Sequence, residues 1–448
     1  MKTKFSAVLM ALLAAGAVGS SSAATEADLE RSFFPYKNGV PTFPGLTEGT
    51  VVSSKNVDQF KDAIDPALFD MIKRGWLEVP VGKTTSFDMN KAYVEASRVN
   101  MNKTKLGAKP GEIEGFVAGR PFLEEPSAAD PRAGEKIMWN YKYGVNWGDN
   151  AAIYPFYWKY RNMATGQLEK TLKLNLHFLN FTHRIEHDPK PEVTPNPSKL
   201  FRGIYMNIME PQDLKGTQLL IQRYEDDTKA DDAYLYLGFQ RRVRRLATGQ
   251  VTDSFLGADL MIQDFEGYND RLSAYKWKYV ATKNVLMPYY YHNQLKLAED
   301  MPVEQDGYKY VDFGGEGKCF QNITWQLRKV YVVEGSPVDP SPISKRVIYI
   351  DAQANNINRS LIYDKKGELW RTFTIGKSHP DSHLPINKGS GIPIDDSFSM
   401  VDVQATERAF RIGQTRDVNI YRFVSEDTIE AAAIKLVEFF GLGINLHP

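Results

Sequence analysis

The sequence predicts a mainly β protein (α+β) built on one large curved antiparallel sheet or incomplete barrel, covered by a few helices. Apolar and polar residues alternate in many segments, and 172–178 is the clearest of them. This spacing places one apolar and one polar face on a strand. About ten such strands are expected between Ala152 and Thr374. Their connections are mostly short, which favours antiparallel neighbours over crossover helices.

The N-terminal residues 1–24 have the pattern of a secretory signal peptide. Lys2 and Lys4 precede an apolar run from Phe5 to Val18, and small residues follow up to Ala24. This order of charged, apolar and small residues is typical of exported chains. The run is shorter than the roughly 20 residues that span a bilayer. We therefore expect cleavage near Ala24 and a periplasmic protein that does not span the membrane.

The composition of the remaining chain fits an exported globular protein. Removal of Lys2 and Lys4 from the 55 basic side chains, against 55 acidic ones, leaves a net charge of about −2. Nucleic acid is therefore not an expected partner. The single cysteine, Cys319, cannot form a disulfide within the chain. The fold must be stabilised by its core alone.

Residues 25–131 are predicted to form an N-terminal arm that packs on the main domain. The arm is rich in Pro, Gly and polar residues and has one clear helical stretch from Asn56 to Arg74. Apolar residues recur there every four positions from Phe60 to Ile72, as on one face of a helix. Pro66 is expected to split or kink this helix, because proline lacks the N–H that a helix interior needs.

Residues 132–448 are predicted to form the main domain, a half-barrel that ends in a helix. Its strands are rich in Tyr, Trp, Val and Ile and are separated by Asp, Gly and Pro turns. The last helix is expected from about Ser425, a capping residue type, to Phe440, just before Gly441. Its apolar stripe must pack on its own sheet or on a partner.

An aromatic-lined cavity is the predicted functional site. A large sheet must cover its apolar face, and helices that fill a curved sheet incompletely leave a binding cavity for an apolar ligand. The predicted wall residues are Tyr154, Phe156, Trp158, Leu174, Leu176, Phe178, Tyr275 and Trp277. The alternative is that these side chains are ordinary core, since aromatic residues dominate protein cores.

Five segments resemble the characteristic stretches of one bacterial family. They are Ala118–Phe122, Asp130–Tyr141, Gln240–Arg245, Tyr331–Glu334 and Gly367–Arg371. Over about Val51 to Phe398 the chain is similar to a periplasmic family of unknown function labelled outer-membrane lipoprotein-sorting-like (DUF1329), which resembles the carriers LolA and LolB. The resemblance implies an incomplete antiparallel barrel that holds a lipid-like molecule. It also implies a resistance-nodulation-division exporter or an outer-membrane protein as partner.

Four arginines stand together in Gln240–Arg245. Alternation on a strand would place Arg242 and Arg244 on one face. There they are predicted as anchors for an anionic head group or a fatty-acid carboxylate at the cavity mouth. The alternatives are a docking surface for a partner and salt bridges with the acids of 226–232, because guanidinium groups bind carboxylates bidentately.

His183-x-x-Glu186-His187 fits a pattern in which two histidines one helical turn apart bind zinc and the glutamate acts as base. The context argues against this zinc-hydrolase alternative. An alternating strand precedes the motif and Asp188-Pro189 follows it, which leaves barely two turns for a helix. On a strand the two histidines would lie ~13 Å apart, too far to share one ion.

The remaining polar groups are interpreted as loops. His379 and His383 lie among prolines, and the Asp395-Asp396 pair is expected in a solvated loop. The motifs of a nucleophile elbow, a phosphate loop and a dinucleotide site do not occur in the sequence. No catalytic residue, metal or cofactor is therefore predicted.

Together these features predict a non-enzymatic periplasmic carrier or chaperone for a hydrophobic, lipid-like ligand. Burial of an acyl chain contributes ~0.8 kcal/mol per CH₂, so a dry cavity can hold such a ligand without covalent chemistry. The alternative from another class is an accessory or structural envelope protein that has a filled core and no cargo.

Overall fold

The structure of the protein, a computed structural model, describes residues 23–238, 240–246, 255–305, 307–404 and 417–421. The α-helices are α1 (Glu26–Phe33), α2 (Pro66–Lys73), α3 (Lys91–Val99) and α4 (Ala133–Lys142). The signal-peptide residues before 23 and the helix predicted from Ser425 to Phe440 lie outside the described residues.

Twenty β-strands follow one another along these ranges. The first ten are β1 (Val51–Val52), β2 (Val79–Pro80), β3 (Lys105–Leu106), β4 (Ile113–Glu114), β5 (Asn150–Arg161), β6 (Leu168–Asn180), β7 (Leu200–Glu210), β8 (Gln218–Tyr224), β9 (Asp232–Leu237) and β10 (Arg242–Leu246). The others are β11 (Tyr275–Met287), β12 (Tyr289–Tyr290), β13 (Phe313–Gly314), β14 (Phe320–Gln321), β15 (Gln326–Pro337), β16 (Ile343–Asp351), β17 (Ile357–Asp364), β18 (Leu369–Ser378), β19 (Ile394–Asp402) and β20 (Asp417–Tyr421).

Most of these strands belong to one 14-stranded sheet. Its order is β10-β9-β8-β7-β6-β5-β20-β19-β18-β17-β16-β15-β11, and β12 pairs with β18 in parallel. All other neighbours along this path pair antiparallel. Two meanders, β5 to β10 and β15 to β19, are therefore joined through β20. The prediction of a mainly β protein with a large antiparallel sheet is confirmed.

The sheet is curved and, across the described residues, open. Ile204 on β7 and Leu219 on β8 share a core cluster with Ile362 on β17 and Phe373 on β18. These strands lie far apart in the sheet order, so the sheet must bend for their side chains to meet on one inner face. Its two ends are β10 and β11, which do not pair with each other.

Pro66 divides the predicted helix in the N-terminal arm. Residues Val57–Ala63 form a 3-10 helix, and α2 begins at Pro66 itself. Asp65 caps α2, since its side chain accepts a hydrogen bond from the Leu68 N–H at 2.9 Å. Proline is well suited to the first helical turn because its missing N–H is not needed there. The predicted split is confirmed.

A buried ion pair and a buried hydrogen bond connect the N-terminal arm to the sheet. The Arg359 guanidinium on β17 donates to both carboxylate oxygens of Asp65, with Nε at 2.9 Å and Nη2 at 3.1 Å. Arg328 on β15 binds Asp351 and donates from Nη1 to the Thr85 carbonyl at 2.8 Å. Because buried charges are tolerated only when they are paired, these contacts fix where the arm lies.

Asp395 and Asp396 are part of β19, and the prediction of a solvated loop is wrong. Asp396 is 0% exposed, and the two residues follow Ile394 at the start of the strand. His379 and His383 do lie in the irregular segment between β18 and β19, but both are buried. Contacts with Lys377 and His383, described below, make the burial of these carboxylates possible.

Candidate functional site

The inner face of the curved sheet encloses an apolar cavity. It is lined by Trp147, Ile153, Phe156, Trp158, Leu176, Phe178, Met206, Phe265, Glu266, Phe373, Ile375, Asp395, Asp396, Ser397 and Phe398. Its volume is ≈ 50 Å³, room for about four water molecules. The walls suit an apolar guest, but an acyl chain would fit only if part of the lining moved.

A β-bulge determines which residues of β5 face the cavity. Pairing with β6 shifts register between Ile153 and Phe156. Both of these side chains therefore point inward, together with Trp158, although simple alternation would not allow it. Tyr154 lies within the bulge and is 38% exposed. The prediction that Tyr154 shares a face with Phe156 and Trp158 is wrong for this reason.

Residues 255–267, named here the plug segment, pack inside the curved sheet. Leu260, Met261 and Ile262 are buried in the same core cluster as Trp158, and Phe265 lines the cavity. A few helices were expected to cover the sheet. The plug segment, which contains two 3-10 turns, packs on the face around Trp158, and α4 packs on β11 and β15.

Polar contacts hold the plug segment in place. Asp264 forms an ion pair with Arg346 on β16, with 2.6 Å between Oδ1 and Nη2 and both side chains at most 1% exposed. The Tyr141 hydroxyl of α4 donates to the Glu266 carbonyl at 3.0 Å. Glu266 itself has a φ of 58°, a left-handed conformation that costs a non-glycine residue about 1–3 kcal/mol. The segment is therefore stabilised by its surroundings more than by its own backbone.

One end of the cavity is polar, and Asp395 forms part of it. The Asp395 carboxylate contacts the Lys377 ammonium, which also donates to Asn146 Oδ1 at 2.9 Å. Burial raises the pKa of Asp395 to about 6, and the Lys377 charge opposes this rise.

Asp396 lies beside Asp395 and is paired with a histidine. His383 Nε2 is 2.9 Å from Asp396 Oδ1, and both side chains are 0% exposed. Burial acts to raise the pKa of Asp396, but interaction with His383 and His292 leaves that pKa below its usual value. The carboxylates at this end of the cavity thus depend on partner side chains that do not line the cavity.

The structure brings some of the predicted wall residues together and separates the others. Phe156, Trp158, Leu176 and Phe178 line the cavity. Leu174 is buried in the surrounding core. Tyr275 and Trp277, on the edge strand β11, belong to a different cluster that packs against α4. Their aromatic alternation indicated a buried face correctly but did not indicate which interior it faces.

Arg242 and Arg244 are exposed on β10 and do not line the cavity. Arg245 forms a salt bridge with Asp232. The other acids of that region bind elsewhere, since Asp227 pairs with Lys142 at 2.9 Å and Asp231 with Arg223 at 2.7 Å. The basic segment therefore lies at one end of the sheet and not at the cavity.

The His183-x-x-Glu186-His187 segment is not helical. His183 has a φ of 59°, and its ring nitrogens contact the Val117 carbonyl at 2.6 Å and Glu225 at 2.5 Å. The backbone N–H groups of Glu186 and His187 donate to Asp149. Within the described ranges, no group of three His, Cys, Asp or Glu side chains is placed to hold a metal ion.

Several cavity residues were not predicted from the sequence. Phe373 and Ile375 alternate along β18, and Phe398 lies on β19. Their alternation could have identified an inward face, but not its position beside Trp158. Phe265 and Glu266 have no periodic signal, because the plug segment is neither a regular helix nor a strand.

The fold and the site define a class: a mainly β protein with an open, curved antiparallel sheet and an apolar cavity on its inner face. The family described as "Protein of unknown function (DUF1329)" matches residues 51–434, and the chain belongs to this family. None of the helices among the described residues is long and apolar enough to cross a membrane.

Other proteins share parts of this sequence. The uncharacterized protein PA3922 of Pseudomonas aeruginosa is 28% identical over 366 residues, which cover 78% of this chain and 71% of that protein. A 35-residue stretch is 63% identical to helicase SWR1 of Saccharomyces cerevisiae, but it covers 8% of this chain and 2% of the helicase. So short a match does not transfer the helicase activity.

Two solved structures align with part of this chain at low sequence identity. A DUF1329 family protein from Desulfovibrio piger aligns with a TM-score of 0.43 and 17% identity, over 68% of this chain and 99% of that one. The LolA superfamily protein NE2245 from Nitrosomonas europaea aligns with a TM-score of 0.34 and 11% identity, over 62% of this chain and 84% of that one.

Proposed function

We propose that the protein is a periplasmic carrier or chaperone that binds a hydrophobic, lipid-like ligand at its inner cavity and catalyses no reaction. One observation carries this proposal: a cavity with aromatic and aliphatic walls lies inside an open sheet, beneath an irregular plug segment. The signal-like residues up to Ala24 support export. An envelope exporter or an outer-membrane protein would deliver or accept the ligand.

The mechanism that we propose is exchange of the plug segment up to Phe265 for the ligand. The cavity of ≈ 50 Å³ is too small for an acyl chain, so Phe265 and the residues before it must move outward as the chain enters. Each buried CH₂ contributes ~0.8 kcal/mol, which offsets the contacts that the plug segment loses. A partner that favours the closed plug segment would release the ligand.

The competing function is that of an accessory envelope protein without cargo. The observation that favours it is that the plug segment already buries Leu260, Met261 and Ile262 inside the sheet. In that case the inner face is simply core. Binding measurements separate the two functions.

The carrier function predicts that wild-type protein binds the uncharged fluorescent probe N-phenylnaphthylamine. We expect Met206→Trp to weaken this binding by at least about tenfold, because the larger ring occupies the cavity that Met206 lines. Phe265→Ala should strengthen it, because the plug segment then fills less space. Fluorescence titration gives both dissociation constants, and native mass spectrometry of periplasmic protein tests for a co-purified lipid.

The matched control is Tyr154→Ala, on the same strand as Phe156 but outside the cavity. It should leave probe binding unchanged. The accessory function would instead be supported by a wild-type protein that binds no probe, or by equal effects of Tyr154→Ala, Met206→Trp and Phe265→Ala. Because Phe265→Ala is expected to act in the opposite direction, loss of folding in Met206→Trp does not remove the test.

A further inference from the structure

The ionisable side chains that line the cavity are all acidic. Among the described residues they are Glu266, Asp395 and Asp396, next to the hydroxyl of Ser397. Their partners do not line the cavity: the cations Arg202 and Lys377 pair with Glu266 and Asp395, and His383 contacts Asp396. A ligand inside the cavity therefore meets hydrogen-bond acceptors at its polar end and apolar walls elsewhere.

Glu266 lines the cavity and has an unsatisfied acceptor. Its side chain is 8% exposed. Oε2 accepts from the Trp147 indole N–H and lies 3.5 Å from Arg202 Nη1. Oε1 is buried and has no hydrogen-bond partner in the described part of the chain. A buried acceptor without a donor costs about 1–3 kcal/mol, which a donor on a ligand would recover.

The charge balance limits what that donor can be. An anionic head group would approach Glu266 and Asp395 in a poorly solvated space, where repulsion between like charges is strong. The carboxylates already have cationic partners, so an ammonium group would add an uncompensated buried charge. A neutral hydroxyl can donate to Glu266 Oε1 without changing the net charge of the site.

We propose that the ligand is an uncharged amphiphile whose polar group is a hydroxyl, held by donation to Glu266 Oε1 while its apolar body displaces Phe265 and the part of the plug segment that precedes it. This inference rests on the carrier function and names its ligand class. It also assigns the polar anchor to Glu266 in the cavity and not to the exposed Arg242 and Arg244. The sequence pattern of four arginines favoured an anionic head group. The acidic lining of the cavity favours a neutral hydroxyl instead.

Competition between ligands of one chain length tests this proposal. Wild-type protein loaded with N-phenylnaphthylamine is titrated with tetradecanol, myristate and tetradecylamine at neutral pH. We expect tetradecanol to displace half of the probe at a concentration at least about tenfold lower than either ionised compound. Displacement by myristate or by tetradecylamine at an equal or lower concentration than tetradecanol overturns the proposal.

The variant Glu266→Gln identifies the group responsible. Its amide oxygen still accepts a hydrogen bond, so tetradecanol should bind within about threefold of wild type. Removal of the negative charge should reduce the difference between tetradecanol and myristate to less than about threefold. The control is Glu210→Gln on β7, whose carboxylate is 67% exposed and which should retain the wild-type preference. An unchanged preference in Glu266→Gln contradicts the role of Glu266.

The two proposals fail in different ways. If the probe does not bind wild-type protein, the carrier function fails and the head-group inference falls with it. If the probe binds and is displaced, but the three compounds compete equally, only the head-group inference fails. The same titrations therefore distinguish a wrong ligand class from an absent binding site.

Discussion

Replacing Asp351 with Ala is expected to lower the free energy of unfolding by about 3–5 kcal/mol. The carboxylate binds Arg328 Nε at 2.5 Å, and both side chains are 0% exposed. Burial alone would lower the pKa of Arg328, but Asp351 reverses this and the pKa is raised. The variant leaves a guanidinium buried without its counter-charge. Urea denaturation monitored by fluorescence should show a lower midpoint with an unchanged slope.

The matched control for this change is Asp58→Ala. Asp58 also forms an ion pair, with Lys73, but its side chain is 66% exposed. Exposed pairs contribute about 0–1 kcal/mol, so the control should unfold close to wild type. A loss below about 1 kcal/mol for Asp351→Ala would show that solvent or a rearranged carboxylate compensates Arg328.

The sheet could be predicted because its signals are local. Alternation along 172–178 corresponds to β6, where Leu172 and Leu174 are 0% exposed. Pro66 begins α2, a position at which its missing N–H is not needed. These features depend on neighbours within a few residues, so a single sequence contains them in full.

The walls of the cavity could be predicted only in part, because a bulge and the curvature of the sheet have no local signal. The bulge at Tyr154 turns one aromatic residue away from the cavity. The alternation of Tyr275 and Trp277 indicates burial equally well, yet β11 lies at the opposite end of the sheet from β10 and packs against α4. Period-two patterns identify faces but not the element that covers each face.

The acidic end of the cavity could not be predicted, because its charge pairs join residues on different elements of the folded sheet. Two adjacent aspartates normally indicate solvent. Here Asp395 contacts Lys377 across neighbouring strands, and Arg202 approaches Glu266 from β7. Such pairing makes burial tolerable, and it exists only once the sheet has formed. The residues that we propose to select the ligand are thus those about which the sequence is least informative.

Gly134→Ala should destabilise the protein even though Ala is the better helix former. Helix propensity alone favours Ala by about 1 kcal/mol. A Cβ at Gly134, however, would lie 2.6 Å from the Tyr279 nitrogen and 2.7 Å from the Lys278 carbonyl carbon, both backbone atoms of β11. Because backbone cannot rotate away as a side chain can, α4 must move off the sheet. We expect a net loss of about 1–3 kcal/mol in the free energy of unfolding.

Thermal denaturation of Gly134→Ala and Gly134→Ser tests this balance. The bulkier Ser side chain should lower the midpoint at least as much as Ala does. A raised midpoint in Gly134→Ala would mean that α4 adjusts freely and propensity prevails. Gly134 does not line the cavity, so the folded variant should bind N-phenylnaphthylamine with wild-type affinity. Lost stability with retained binding would show that α4 supports the edge of the sheet without contributing to the cavity, whereas Phe265→Ala in the plug segment is expected to change binding itself.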